Sequence, residues 1–141
     1  MRVLGLDVGD RRIGIAVSDP LGLTAQRVSV LERRGMSRDL EAVQALAEQY
    51  GASAVVVGLP LTMRGERGVQ AGKVTAFAEA LRRRVAVPVE FVDERLTTVQ
   101  GARALRETGA SRRARKAAID QVAAQLILQD FLDRRRQSEP R

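Results

Sequence analysis

The chain has 141 residues, 45% of them hydrophobic and 29% charged, which is the balance of one globular domain rather than of a disordered segment. It contains no cysteine and no histidine, which excludes disulfides, zinc sites built on those ligands, and mechanisms with a cysteine nucleophile or a histidine base. Any chemistry must therefore use carboxylates, hydroxyls, lysine, arginine, or a metal held by oxygen ligands.

The chain carries 24 basic against 17 acidic side chains, for a net charge of +7. This excess favours a polyanionic partner, most often nucleic acid, although solubility alone is the alternative explanation. Aromatic residues make up only 3%, which argues against a platform for stacking single-stranded bases. The N-terminus lacks the apolar run of a signal peptide, and no stretch approaches the roughly 20 apolar residues of a membrane span. We therefore expect a cytoplasmic protein with no membrane contact.

The first third of the chain predicts three strands and a helix. Apolar runs at 2–8 and 13–18 flank a turn at Gly9 to Arg12, so they read as a hairpin, and a third strand is expected at 24–31. Ser37 is a good N-cap for a helix that runs to Tyr50.

Two further strands and a helix follow. The apolar run at 54–58 is typical of a buried parallel strand, a helix is expected at 69–85, and another strand at 88–92. The loop with Gly58, Pro60 and Gly65 leaves the first of these strands at its carboxyl end, where α/β sheets bind ligands, so we expect it to border an active site. An ordinary connection is the alternative.

The last third is helical and basic. Thr97 and Gln100 fit a capping box that opens a helix to Glu107, residues 109–116 read as a mobile basic segment, and a final helix is expected at 117–134. The order β-β-β-α-β-α-β-α-α predicts an α/β fold with a mixed five-stranded sheet, three antiparallel strands followed by parallel ones, with helices on both faces. We expect one domain over 1–136 and a flexible tail at 137–141.

Two acidic positions fall at strand ends. Asp7 lies near the end of the first core strand, where aspartate is disfavoured, and capping of the turn at Gly9 is the alternative explanation. Asp93 and Glu94 follow the fifth strand, at the sheet edge that binds ligands in α/β folds. Because side chains alternate along a strand, only one of these two carboxylates can point to a given face of the sheet. The alternative for both is a strand end exposed to solvent.

A third carboxylate stands on the final helix. Asp120, Ala124, Ile127 and Phe131 recur at helical spacing, and the other members of this stripe are apolar. Asp120 therefore belongs to a packing face, where a carboxylate needs a partner. A salt bridge to an arginine such as Arg95 is the alternative.

Together these three carboxylates suggest one site. Clustered carboxylates repel one another unless a divalent cation joins them, and oxygen ligands suit Mg²⁺ or Mn²⁺. Such a cation can activate water against a phosphodiester, most simply in a pair of metals. We therefore predict Asp7, Glu94 and Asp120 as catalytic and metal-ligating residues. Basic side chains between residues 95 and 116 are predicted to contact the nucleic-acid backbone. They are Arg95, Arg103, Arg106, Arg112, Arg113, Arg115 and Lys116.

Four segments also carry a family resemblance. They are LGLDVGDRRIGIAVSD at 4–19, VVGLPLTMRG at 56–65, DERLTT at 93–98 and DQVAAQLIL at 120–128. In this order they resemble the YqgF/RuvX family of ribonuclease H-like proteins, described as Holliday junction resolvases and as nucleases that mature small-subunit ribosomal RNA. The family's acidic residues fall on the three carboxylates above. Its frequent lysine falls on Arg11, which we add to the predicted nucleic-acid contacts.

The resemblance implies a metal-dependent endonuclease acting on branched DNA or structured RNA. Resolution of Holliday junctions is the favoured function, and processing of the 5′ end of pre-16S rRNA is the alternative. Junction resolution implies a homodimer, for which the last helix or the helix at 69–85 is a candidate interface, although core packing explains both apolar faces equally well. Two other classes stay open. One is a non-catalytic nucleic-acid-binding module, and the other is an ATPase or phosphotransferase, which would need two such domains.

Overall fold

The computed structural model describes residues 1–62, 64–97 and 112–138, and the side chains of 112–121 lie outside that description. Five strands form one sheet: β1 (Val3–Val8), β2 (Arg12–Ser18), β3 (Ala25–Glu32), β4 (Ala54–Leu59) and β5 (Val89–Asp93). The helices are α1 (Met36–Gln49), α2 (Val69–Arg82) and α3 (Arg112–Ser138), and a single 3₁₀ turn (Glu94–Leu96) follows β5. No helix in these ranges has the length and apolar character that crossing a membrane requires.

The sheet is mixed, as the sequence predicts. Its strand order is β3-β2-β1-β4-β5. The strands β1, β2 and β3 pair antiparallel, whereas β4 is parallel to both β1 and β5. The two crossover helices, α1 and α2, connect the parallel strands, which places the carboxyl ends of β1, β4 and β5 at one edge.

Helices cover both faces of this sheet. One face presents Leu4 and Leu6 to the buried sides of α1 and α2, and the other presents Val3 and Val56 to α3. The alternation of β1 separates these two cores. The sequence suggests the apolar faces of α2 and α3 as dimer interfaces. In the structure these faces pack against the sheet of the same chain.

The start of α1 differs from the prediction. Its N-cap is Gly35, with φ of 114°, and not Ser37. The cap position makes no side-chain hydrogen bond. Asp39, only 4% exposed, reaches back from the first turn instead, and its carboxylate accepts hydrogen bonds from the Arg34 amide and the Arg33 Nε, both at 2.9 Å. Burial alone would raise the pKa of Asp39, but these two donors hold it below its ordinary value.

Three predicted helix boundaries are also wrong. The helix α3 begins at Arg112 and not at residue 117, because arginine, alanine and lysine are strong helix formers and extend it backwards through the predicted mobile segment. It ends at Ser138, two residues into the predicted tail, and α2 ends at Arg82 rather than at residue 85. The predicted helix between Thr97 and Glu107 lies outside the described residues beyond its first position.

Two glutamines of α3 bind the free edge of β3. The Ala25 amide donates to Gln129 Oε1 at 2.8 Å, and Gln125 Nε2 donates to the Ala25 carbonyl at 3.1 Å. Gln129 Nε2 also donates to the carbonyl of Leu23 at 3.0 Å. These amides take the place of a neighbouring strand at the start of an edge that would otherwise template pairing.

The close contact of α3 with β1 depends on Gly5. A Cβ at this position would lie 2.8 Å from Leu128 Cβ and 3.3 Å from the carbonyl oxygen of Ala124. Both are parts of the helix that cannot swing aside, so a side chain here would push α3 off the sheet.

Gly5→Ala should therefore destabilise the fold, by about 1–3 kcal/mol, the usual cost of overpacking. The matched control is Gly72→Ala on α2, where an added Cβ meets nothing within 4 Å and should stabilise the helix. Urea unfolding of the two variants measures this difference. Equal stabilities would contradict the close approach of α3.

Candidate active site

The candidate site lies where β1, β4 and β5 end. The strand β4 runs between the other two, and its Gly58 pairs with Val92 two positions before Glu94. In the register of β1 with β4, Leu6 is opposite Val57, so Asp7 and Gly58 follow at the same level. The two acidic positions therefore stand on either side of a residue that has no side chain.

Glu94 fills the space above Gly58. It is 3% exposed, and a Cβ added at Gly58 would lie 2.9 Å from its Oε2 and 2.5 Å from Ile127 Cδ1. The carboxylate is thus enclosed between β4 and α3. Burying a carboxylate so deeply is costly unless another group compensates its charge, which makes Glu94 a candidate functional residue rather than a solvated strand end.

Asp7 is half-buried on the same face of the sheet. It pairs with Gly14 of β2 in the antiparallel ladder, and the core residues Leu6 and Val8 on either side of it face α1 and α2. The turn that follows is closed by its own backbone, since the Gly9 amide donates to the Arg12 carbonyl at 2.8 Å.

Asp93 has a different role from its neighbour Glu94. Its carboxylate accepts from the Arg95 amide at 3.0 Å and lies 2.7 Å from Arg95 Nη2. The hydrogen bonds from the Arg95 side chain lower the pKa of Asp93. The alternation predicted from sequence is therefore resolved: Asp93 caps the 3₁₀ turn and binds Arg95, while Glu94 enters the interior. Arg95, which the sequence suggests as a partner for Asp120, is thus paired with Asp93.

The loop after β4 folds back towards this segment. Pro60 is half-buried, and an isolated bridge between Leu61 and Arg67 closes the loop. Gly65 has φ of 83°, a conformation that favours glycine, and a Cβ there would lie 3.1 Å from Arg95 Nη1. The loop thus contacts the residue next to Glu94, a packing that the sequence analysis did not foresee.

The structure describes only some of the basic residues that the sequence predicts as nucleic-acid contacts. Arg11 is exposed in the turn after β1 and makes no ion pair with any side chain that the structure describes. Its neighbours do: Asp10 lies 3.2 Å from Lys73, and Arg12 lies 3.0 Å from Glu32. Arg103 and Arg106 lie outside the described residues. Four others belong to the first turns of α3, with side chains outside the description: Arg112, Arg113, Arg115 and Lys116.

The side chain of the third predicted carboxylate, Asp120, is not among those described. Its backbone is helical within α3, and Ala124 and Ile127 of its stripe are 3% and 0% exposed, so this face of the helix does pack on the sheet. Among the side chains that the structure describes, no three acidic groups come together to hold a metal. Gly5 and Ile127 also shape this region, since both limit how closely α3 approaches the sheet. The helical stripe predicts that Ile127 packs, but no local pattern marks either residue as part of a site.

Solved structures with the same architecture define the class. One is T. thermophilus RuvC in complex with a Holliday junction substrate, with a TM-score of 0.64 and 17% identity over 98% of this chain and 96% of that one. A Thermus thermophilus RuvC structure matches with a TM-score of 0.60 and 17% identity over 98% of both chains. The chain is therefore an α/β protein of the ribonuclease H-like fold.

The family follows from sequence similarity. A family model described as "RuvX: Holliday junction resolvase" matches residues 1–134. A Moorella thermoacetica relative is 53% identical over 134 residues, or 95% of this chain and 96% of that protein. A Syntrophomonas wolfei relative is 47% identical over 133 residues, or 94% of each. Both bear the name "Putative pre-16S rRNA nuclease". The chain belongs to the RuvX family and is a nuclease, which confirms the resemblance seen in the sequence.

Gly58→Ala tests the geometry around Glu94. The added Cβ collides with Ile127 Cδ1 and Glu94 Oε2, so we expect a loss of about 1–3 kcal/mol in stability together with a loss of cleavage. Adding Ile127→Val removes the nearest colliding atom and should restore part of the stability.

The double variant should nevertheless stay impaired in cleavage, because Glu94 is still displaced. Urea unfolding and cleavage rates of the two variants, measured side by side, separate the two effects. Recovery of cleavage in parallel with stability would show that the position of Glu94 over Gly58 is irrelevant to the reaction.

Proposed function

We propose that the chain is a divalent-metal-dependent endonuclease whose Asp7, Glu94 and Asp120 hold Mg²⁺ or Mn²⁺ at the carboxyl ends of β1 and β5. The observation that carries the proposal is the buried Glu94 carboxylate, enclosed above Gly58 on the face of the sheet that Asp7 shares. Two carboxylates meeting at such a place create a strong negative potential that a divalent cation neutralises.

The register of α3 supports Asp120 as the third member. Gln129 binds the Leu23 carbonyl and Arg135 contacts Met1, so the helix ends beside the beginning of β1 and runs antiparallel to it. The Ala124 carbonyl lies over Gly5. Four helical residues rise about 6 Å and two strand residues about 6.6 Å. Position 120 is therefore expected level with Asp7.

The donor set fits the proposed metal. Since the chain has no histidine or cysteine, its ligands are oxygen atoms, which Mg²⁺ and Mn²⁺ prefer. When bound, the metal would lower the pKa of a water molecule and neutralise the scissile phosphate. The carboxylates of the chain would orient the cation, and Glu94, fixed between β4 and α3, would keep its position during the reaction. Arg11 and the basic start of α3 would hold the nucleic-acid backbone.

As the substrate we propose structured RNA, the precursor of 16S rRNA. Relatives up to 53% identical over nearly the whole chain carry that name, whereas the 17% identity to RuvC supports the fold alone. The description of the family model favours a second candidate, the four-way DNA junction, which would call for a homodimer. Both candidate substrates are found in the bacterial cytoplasm, so we also propose that the protein is cytoplasmic.

A cleavage assay tests the substrate directly. Precursor 16S rRNA and a four-way DNA junction are incubated side by side with the protein in Mg²⁺ or Mn²⁺. We expect metal-dependent cleavage near the 5′ end of the RNA. Cleavage of the junction alone would assign the second candidate. Binding without cleavage of either, unaffected by loss of the carboxylates, would show a non-catalytic binding module.

Asp120→Asn separates a metal ligand from a structural ion pair. If Asp120 belongs to a carboxylate cluster, the substitution relieves repulsion, so stability without metal should stay level or rise while stabilisation by metal shrinks. Cleavage should fall by orders of magnitude. Thermal unfolding with and without Mn²⁺ measures both quantities, and Glu90→Gln, an exposed carboxylate of β5, is the matched control. A variant that melts much lower without metal yet cleaves normally would exclude Asp120 from the site.

Replacement of Arg112, Arg113 and Arg115 by alanine tests the nucleic-acid surface. Each lost phosphate contact should reduce the slope of log K against log salt by about 0.7–0.9, because fewer counterions are released. The control replaces Arg34, Arg38 and Arg83, which are exposed arginines of the opposite helical layer, and removes the same charge. Equal slopes for the two triple variants would place the binding surface elsewhere.

A further inference from the structure

Arg33, which directly follows β3, joins the β1–β2 turn to two helices. Its Nη1 donates to the Gly9 carbonyl at 2.9 Å, and its backbone amide donates to the Arg11 carbonyl at 2.8 Å. Its Nε donates to Asp39 of α1 at 2.9 Å, and its guanidinium lies 5.4 Å from the ring centroid of Phe77 on α2. One residue thus binds two carbonyls of the same turn and is itself fixed from both helices.

The turn held in this way presents one cation, Arg11, that has no ion-pair partner among the described side chains. Asp10 and Arg12 are engaged in ion pairs, whereas Arg11 between them is exposed and pairs with no described side chain. The turn begins two residues after Asp7. Arg11 is therefore displayed at the sheet end where the carboxylates lie, in a backbone conformation that Arg33 determines.

We propose that Arg33 is a positioning residue for substrate binding: it fixes the turn at residues 9–12 so that Arg11 contacts a phosphate of the nucleic acid. The proposal rests on the proposed function, since it assumes a nucleic-acid substrate at the carboxyl ends of the strands. Arg33 itself is mostly buried, with 21% of its side chain exposed, and its donors are directed to protein groups, so it acts through the turn.

The chemistry of arginine explains this role. A guanidinium directs several donors in one plane and so can bind Asp39 and the Gly9 carbonyl together, whereas a lysine offers one ammonium group. Without the Arg33 side chain the turn keeps its own closing hydrogen bond and the bond from the backbone amide of residue 33 to the Arg11 carbonyl, but the Gly9 carbonyl loses the bond from Nη1 that holds the start of the turn. The fraction of molecules with Arg11 in the binding conformation then falls, and the apparent Kd rises by the inverse of that fraction.

The test variant combines Arg33→Met with Asp39→Leu, because removing the arginine alone would strand a buried carboxylate and unfold part of the chain. Arg34→Met is the matched control, since the side chain of Arg34 is exposed while its backbone amide still binds Asp39. Binding to a four-way DNA junction and to a pre-16S rRNA fragment is measured without divalent metal over a range of salt. Hydrogen exchange of the amides at residues 9–12 reports the turn itself.

For the double variant we expect faster exchange in the turn, a Kd about tenfold higher, and an unchanged salt slope, because no phosphate contact is removed. Arg11→Met should lower the slope of log K against log salt by the amount expected for about one phosphate contact. Combining Arg11→Met with the double variant should cause no further loss of affinity. Arg34→Met should match the wild type in turn exchange and Kd.

Three results would overturn the proposal. A shallower salt slope in the double variant would mean that Arg33 contacts phosphate directly, and an unchanged Kd despite faster exchange would mean that the turn is only structural. If the losses of affinity from the double variant and from Arg11→Met added together, Arg33 would not act through Arg11. If the wild-type chain binds neither probe, the proposed function itself fails, and this outcome is distinguishable because it appears before any variant is compared.

Discussion

The close packing of α3 against the sheet is the constraint on which the site depends. Gly5 on β1 and Gly58 on β4 leave room for the helix, and at both positions a single added carbon would meet α3 at less than 3 Å. Protein interiors pack too densely to absorb such a carbon without movement. Because Glu94 shares the space above Gly58 with Ile127, the same packing that forms the second core also encloses the carboxylate. The enclosure of Glu94 is therefore a consequence of core packing.

The sequence predicted the sheet and the strand ends well, and the details of capping less well. The period of two in β1 puts Asp7 on the face opposite Leu4 and Leu6, an arrangement that the sequence of a strand determines by itself. Ser37 was wrong as a cap because α1 begins one residue before it, after Gly35, and Asp39 fixes the chain that enters the helix through bonds from the amide of Arg34 and the side chain of Arg33. Such contacts join separate elements, so local spacing carries no sign of them.

Local spacing also does not show which arginines pair inside the fold and which are exposed to a ligand. In sequence, Arg11, Arg33 and Arg95 are equivalent positive charges. In the fold, Arg95 binds Asp93 beneath the loop at Gly65, Arg33 binds a buried carboxylate, and Arg11 is exposed. The net charge of the chain thus overstates the charge available to a polyanion, since part of it is neutralised by internal partners.

The position of α3 after all five strands in the chain has a consequence for synthesis. In the part of the chain that the structure describes, residues 1–97 contain all five strands and the helices of one face, while α3 covers the face with Val3, Val56 and Val92. A ribosome releases the chain from its N-terminus, so this apolar surface stays open until Leu132 has emerged. Glu94 is enclosed only when Ile127 arrives over Gly58. The second core and the enclosure of Glu94 therefore form only after α3 has been synthesised, later than the sheet that the helix covers.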